Sequence, residues 1–188
     1  MVLPAENLNQ SVTDEALMLA YAKGTASAFD SLYQRHKKVV FRFFVKQGLS
    51  QAIAEELCHD TWLKLINARE KYQQQALFRT YLFTIARNTL IDELRQLKKW
   101  QWQELTDEHL KTDSFAKQHE LVDRLTLFNL AISQLSFYQR EALIFQQEGF
   151  SVMEISQLIG EPFETVKTRL RYAKNNLKAM LGNHHERG

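Results

Sequence analysis

The chain has 188 residues, 45% of them hydrophobic, with 24 basic and 22 acidic side chains and a formal charge of +2. That length allows one large domain or two small ones with ample core, and a charge this close to balance carries information only through its distribution. One cysteine, Cys58, excludes an internal disulfide framework and suits a reducing compartment. The acidic, Asn- and Gln-containing N-terminus lacks the basic end and apolar run of a signal peptide. No run of about 18 apolar residues offers a membrane span, so a cytoplasmic protein without membrane insertion is expected. Two prolines and six glycines point to a mostly helical chain with few tight turns. No internal repeat or low-complexity segment stands out, the glutamine triplet 73–75 being too short to count as one.

Thr13-Asp14-Glu15 precedes the apolar-periodic LMLAYAKG and reads as a capped helix start. A second helix is expected after Gly24, ending at Gly48, with Phe29, Leu32 and Tyr33, then Val40, Phe43 and Phe44, on its inner side. Ser50 can cap a third, QAIAEELCHDTWLKLINAR, packed through Ile53, Leu57, Trp62, Leu65 and Ile66. Its outer face carries Glu55, Glu56 and Asp60 against one base, Lys64. Three carboxylates on one helix are not a metal cage, which needs ligands converging from several elements. Acids early in a helix complement its dipole; the alternative is a face that docks a basic partner. Cys58-His59 and His36 lack metal-ligand spacing and read as structural.

The polar stretch Gln73–Gln75 reads as a loop, followed by a helix from near Leu77 to about Lys98 with Phe78, Leu82, Ile85 and Thr89 along one side. Between Leu77 and Trp100 five bases face two acids, and Tyr72, Tyr81 and Phe83 are interleaved with Arg79, Arg87, Asn88 and Arg95. Rings beside cations suit single-stranded nucleic acid, because bases stack at about 1–3 kcal/mol each while cations track phosphates. For Phe78 and Phe83 a place in the core is equally open.

Residues 101–118 are weakly periodic, and from Glu104 to Asp123 six acids face two bases, which reads as a flexible tether. Leu121, Leu125, Phe128 and Ile132 then have helical spacing. Leu135-Ser136 provides a break and a cap, and Glu141, Ala142 and Phe145 belong to the next helix. Residues 150–178, FSVMEISQLIGEPFETVKTRLRYAKNNLK, have the parts of a helix-turn-helix. Ser151 and Glu154 form a capping box, Gly160 stops the first helix, Pro162 prevents its continuation, and small Ser156 permits close approach. In the second helix Val166, Leu170, Ala173 and Leu177 form the inner stripe. From Pro162 to Lys178 five bases face one acid, Glu164. Glu164, Thr165, Lys167, Thr168, Arg171 and Tyr172 point away from the stripe, where Arg or Lys can read guanine in a major groove. A solvated basic face is the plainer alternative. The tail 183–188, with His184-His185, is expected to fray.

These strings resemble the small extracytoplasmic-function (ECF) sigma factors of the bacterial sigma-70 family over nearly the whole chain. AEELCHDTWLKL is similar to the family's polymerase-binding helix and FRTYLFTIARNTLIDELR to its promoter-melting helix. LSFYQREALIFQQEGFSVMEISQLIGEPFETVKTRLRYAKNNL is similar to its C-terminal domain. The resemblance implies an all-α chain of two small helical domains, 1–100 and 121–182, joined by a flexible linker, 101–120. It implies core RNA polymerase as partner, through the β′ clamp helices and the β flap, with Glu55, Glu56, Leu57, Asp60, Leu63 and Lys64 at the contact. Tyr72, Gln73, Gln74, Gln75, Ala76 and Leu77 become the loop that holds a base flipped from the melted minus-ten element. Asn88 belongs to its wall, Tyr81 replaces the family's usual Trp, and Arg79, Arg87 and Arg95 reach the backbone. Lys167, Thr168, Arg171 and Tyr172, flanked by Glu164 and Thr165, read the minus-thirty-five element, and Arg169 and Lys174 meet phosphates. Glu164 replaces a common Gly and Ser156 a common Ala. An anti-sigma factor, a stress-linked regulon and a monomer within the holoenzyme are further implications.

No nucleophile–base–orienter set and no phosphate-binding Gly loop appear, so neither an enzyme nor a cofactor site is expected. The competing readings are a stand-alone helix-turn-helix regulator with an N-terminal sensing domain, and an interaction protein whose basic helix docks an acidic partner.

Overall fold

A computed structural model describes residues 12–104, 131–132 and 134–185, with side chains described to 96 and again from 131 to 180, residue 133 apart. Every regular element among them is helical, and the chain falls into two units.

In the N-terminal unit, α1 spans Asp14–Ala22, α2 Ala26–Lys46 and α3 Gln51–Ala68, with one 3-10 turn at Arg69–Lys71; α4, Phe78–Glu104, begins in this unit, and the division between the two units falls within it after Thr89. Thr13 caps α1, its hydroxyl accepting from Ala16 N–H at 3.2 Å. Ser50 caps α3 through Ile53 N–H at 3.4 Å. Such caps satisfy amides that the helix itself leaves open. Leu32, Val40, Phe43 and Phe44 of α2, Leu57, Trp62 and Leu65 of α3, and Phe78, Leu82 and Phe83 of α4 are buried. Phe43 meets Phe83 edge-on at 5.6 Å. Each fully buried Phe contributes about 1.5–3 kcal/mol relative to exposure, and both Phe78 and Phe83 belong to the core rather than to any stacking surface.

Three expectations change here. Tyr33 is 36% exposed, not inward; it follows Leu32 by a 100° turn of helix, which sets it at the stripe's edge with its ring against Trp62 at 5.1 Å. Ile85 is only half-buried, while Phe83, Ala86 and Leu90 are buried, so the inner side of α4 is broader than one stripe. Finally, α4 does not stop near Lys98 but continues through Glu104, into the first residues of the expected linker. No Gly or Pro interrupts Phe78–Glu104, and Leu, Lys, Gln and Glu are good helix formers. The rest of that linker, 105–120, and the inner residues Leu121, Leu125 and Phe128 lie outside the described residues.

In the C-terminal unit, α5 spans Phe137–Gln147, α6 Val152–Ile159 and α7 Phe163–His185. Ala131, Ile132 and Leu135 pack with Leu143 of α5 and Ala173 and Leu177 of α7, and Met180 closes the cluster. Val166 and Leu170 are buried as the spacing requires. Ser136 has the extended backbone of an N-cap, but its hydroxyl makes no capping bond; Arg140 N–H reaches its carbonyl at 2.9 Å instead. At the other end, α7 runs through Asn183–His185, where fraying is expected from the sequence; 186–188 lie outside the described residues. Among the described residues no helix is long and apolar enough to cross a membrane. None of their His, Cys, Asp and Glu side chains gather in threes that could hold a metal ion.

Candidate nucleic-acid interface

The turn between α6 and α7 is built by local chemistry. Ser151 Oγ accepts from Glu154 N–H at 3.2 Å, and Ser151 N–H donates to Glu154 Oε2 at 2.7 Å, the reciprocal bonds of a capping box. Gly160 closes α6 at φ +69°, a left-handed conformation costly for residues with a Cβ. Glu161 N–H then reaches back to Ser156 O at 3.2 Å. Ser156 adds a bond of its own, its hydroxyl donating to Glu161 O at 2.6 Å. It therefore clips the turn, a role beyond its small size.

On α7, Glu164, Lys167, Arg171, Tyr172, Lys174 and Lys178 are exposed, and Thr165 and Thr168 are half-buried beside them. Lys167 approaches Glu164 at 3.7 Å with both side chains mostly in water, a pair worth little, so Lys167 remains available to an incoming anion. The Arg171 guanidinium lies 5.4 Å from the Tyr172 ring. Thr165, Thr168 and Tyr172 also line one wall of a shallow groove whose other wall is Tyr138 and Gln139 at the start of α5.

Arg169 differs from its neighbours. Its Nη2 donates to Glu161 Oε1 at 2.8 Å, its guanidinium stacks over Tyr138 at 4.7 Å, and its side chain is 17% exposed. A cation held between a carboxylate and a ring braces the turn and is poorly placed to reach out for phosphate.

In the N-terminal unit, Tyr72 and Phe78 bracket a loop. Tyr72 is buried, its ring 5.1 Å from Tyr81 and 6.5 Å from Phe78, both edge-on. Its hydroxyl has no hydrogen-bond partner among the described residues, and burial, then the charge of Glu15 and Tyr81 beside it, raise its pKa. Burial likewise raises Tyr81. Between the brackets Gln73, Gln74, Gln75, Ala76 and Leu77 are all exposed, Leu77 by 56%. The tip is folded on itself: Gln75 N–H donates to Gln73 O, and Gln75 Nε2 to Gln73 Oε1, both at 2.8 Å.

Helical geometry sorts the residues expected on α4. Tyr81, Asn88 and Arg95 are spaced by seven, which at 3.6 residues per turn keeps them on one face; Thr84 joins them. Asn88 and Arg95 are exposed and Tyr81 half-buried. Arg79 points to the opposite side, and Arg87 a quarter turn away; both are half-buried. The structure thus brings the loop to Tyr81 and Thr84; Asn88 and Arg95 lie farther along the same face of the helix, and Arg79 lies off it.

On α3, Glu56, Asp60 and Leu63 share a face by the same arithmetic, with Lys64 at its border, and Leu63 is 42% exposed. Glu55 lies a quarter turn away, accepting from Gln51 Nε2 at 2.9 Å. Leu57 is buried, so it supports this face from below. The first turn of α3 holds no acid, so the dipole, whose effect fades within one turn, is not what selects these carboxylates.

One contact escaped sequence reasoning. The amide of Phe78 donates to Glu15 Oε1 at 2.7 Å, from α4 to α1. Glu15 reads locally as a first-turn acid, and no signal at that position points 63 residues ahead.

The model for "Sigma-70 region 2" matches residues 32–100. A relative from Alcaligenes xylosoxydans xylosoxydans, RNA polymerase sigma factor NccH, is 27% identical over 175 residues, covering 89% of this chain and 94% of its own length. ECF RNA polymerase sigma factor SigC of Mycobacterium tuberculosis is 30% identical over 169 residues, covering 87% of this chain and 89% of its own. Among solved structures, the sigma factor RpoE in complex with the anti-sigma factor NepR from Bartonella quintana aligns with a TM-score of 0.68 at 24% identity, covering 82% of this chain and 96% of that one. CnrH in complex with the cytosolic domain of CnrY aligns with a TM-score of 0.68 at 21% identity, covering 90% and 97%. At these identities the two structures speak to the fold.

Proposed function

The chain belongs to the ECF group of sigma-70 family RNA polymerase sigma factors, non-enzymatic proteins that direct transcription initiation, and from that premise we propose how its surfaces divide the work. The stand-alone regulator and the pure interaction protein are thereby set aside.

The exposed face of α7 reads the minus-thirty-five element in the major groove. Lys167, Thr168, Arg171 and Tyr172 meet base edges and Lys174 meets phosphate. Thr165 and Glu164 border the site, the latter an acceptor for cytosine N4. Arg169 holds the turn in position. The N-terminal unit opens and holds the minus-ten element. A flipped base enters at the loop Gln73–Leu77, with Tyr72 and Tyr81 beneath and Asn88 on the wall, while Arg95 tracks the strand. Arg79 and Arg87 contribute through the surrounding charge. The face of Glu56, Asp60 and Leu63, bordered by Glu55 and Lys64, docks the clamp helices of β′, and the C-terminal unit meets the β flap. The region 2-like domain is residues 1–100, the acidic linker 101–120 follows it, and the region 4-like domain is 121–182. The protein works in the cytoplasm, as one copy per holoenzyme. As the similar structure from Bartonella quintana is a sigma factor in complex with an anti-sigma factor, an anti-sigma factor holds this one inactive until its stress signal arrives.

The observation that carries this reading is the wholly exposed, self-bonded loop at the head of a face bearing Tyr81, Asn88 and Arg95, since a duplex-only reader has no use for it. Run-off transcription with purified core polymerase on a genomic template library tests it. Defined start sites are expected; their absence, together with operator binding by the protein alone, overturns it.

A further inference from the structure

Leu77 occupies the N-cap of α4, its carbonyl accepting from Tyr81 N–H at 3.2 Å. The first amides of a helix have no partner within it, and leucine has no side-chain acceptor to offer. The acceptor arrives from α1, where Glu15 Oε1 lies 2.7 Å from Phe78 N. That position is itself anchored. The neighbouring Asp14 gives one oxygen to Arg35 Nη1 and the other to His36 Nε2, each at 2.6 Å, and Arg35 also reaches Val12 O at 2.9 Å. The first turn of α1 is therefore fixed to α2 on one side and to the start of α4 on the other. The opposite end of the loop is held by the buried Tyr72 ring. Only the five residues between are free of the core.

We propose that Glu15 is the positioning residue of the minus-ten pocket: by capping α4 from α1, its carboxylate sets where the loop Gln73–Leu77 stands relative to Tyr81 and Asn88. The inference rests on reading that loop as the pocket. A carboxylate suits the task, since the positive end of the α4 dipole strengthens the bond. Glu15 also sits in the first turn of its own helix, where any acid is favourable, and the two roles part under substitution.

Holoenzymes assembled from full-length wild type, Glu15→Gln, Glu15→Asp and a triple loop variant (Gln73→Ala, Gln74→Ala, Gln75→Ala) are run on templates randomised across the minus-ten element, and base preference is read from the transcripts. Glu15→Gln keeps the reach and a carbonyl acceptor, and keeps the preference to within about two-fold. Glu15→Asp keeps the charge but withdraws the acceptor by one C–C bond, about 1.5 Å. It loses about ten-fold in discrimination, the scale of a backbone bond to a charged acceptor, while preference at the minus-thirty-five element stays as in wild type. The reverse order, or wild-type behaviour of both Glu15 variants beside an altered loop variant, overturns the role of Glu15 and leaves the pocket standing. Loss at both promoter elements in Glu15→Asp also counts against it, as a general defect. An unchanged triple variant removes the pocket and the inference together.

Discussion

Replacing Arg169 by Ala separates a structural brace from a phosphate contact. Two interactions disappear. The bridge to Glu161 joins side chains 17% and 35% exposed at 2.8 Å, and after screening contributes about 1 kcal/mol. The stacking on Tyr138 at 4.7 Å contributes about 1 kcal/mol more. A loss near 2 kcal/mol lowers the melting temperature of a small domain by on the order of 10 °C, followed for the C-terminal unit by hydrogen exchange of the amides from Ser156 to Arg171 in the full chain. Arg169→Lys keeps the charge, loses the planar stacking, and falls between. A double cycle with Tyr138→Leu should return a coupling of about 0.5–1 kcal/mol. An unchanged melting curve, with a shallower salt dependence of promoter binding instead, would show a guanidinium engaged with phosphate and refute the brace.

Arg171, exposed on the same helix, should behave oppositely. Arg171→Ala leaves melting unchanged and weakens recognition by about 1–3 kcal/mol per lost base contact, seen as lost discrimination among upstream-element variants in transcription. Charge reversal at Glu56 and Asp60, neighbours on the outer face of α3, should abolish capture of core polymerase in a pull-down, whereas Glu55→Arg, a quarter turn away, should reduce it less. Tyr72→Phe removes a buried hydroxyl without a partner and should leave stability at neutral pH equal or higher. The sign with pH follows from the raised pKa of Tyr72. Its proton is held more tightly folded than unfolded, so the stability tied to it is complete below the ordinary tyrosine value of 10.0 and declines as pH climbs past it. Wild type should therefore lose stability faster than Tyr72→Phe above that pH in denaturant titrations, and parallel curves would contradict this.

What was legible in the chain was what neighbours decide. Ser151 and Glu154 are three residues apart, Gly160 acts on its own backbone, and the stripe Val166, Leu170, Ala173, Leu177 repeats every turn. Each is a local signal, and each element formed as expected. The end of α4 had no local signal, because nothing after Lys98 forbids another turn. Tyr33 and Leu32 are adjacent, and the way α2 faces the core buries Leu32 and leaves Tyr33 at the edge of the stripe against Trp62. Arg169 is one cation among five on a basic helix until Glu161 and Tyr138 are brought to it, from eight and 31 residues away. The Glu15–Phe78 bond spans still more chain. In the candidate site, the exposed faces followed from periodicity, while the groups that hold those faces in place came from tertiary contacts.

The tip Gln73–Leu77 contributes no buried side chain and bonds mainly to itself, although both its ends are fastened. Substitutions there meet little resistance from folding. The five positions of that tip can therefore vary in sequence while the scaffold that fastens its ends stays unaltered.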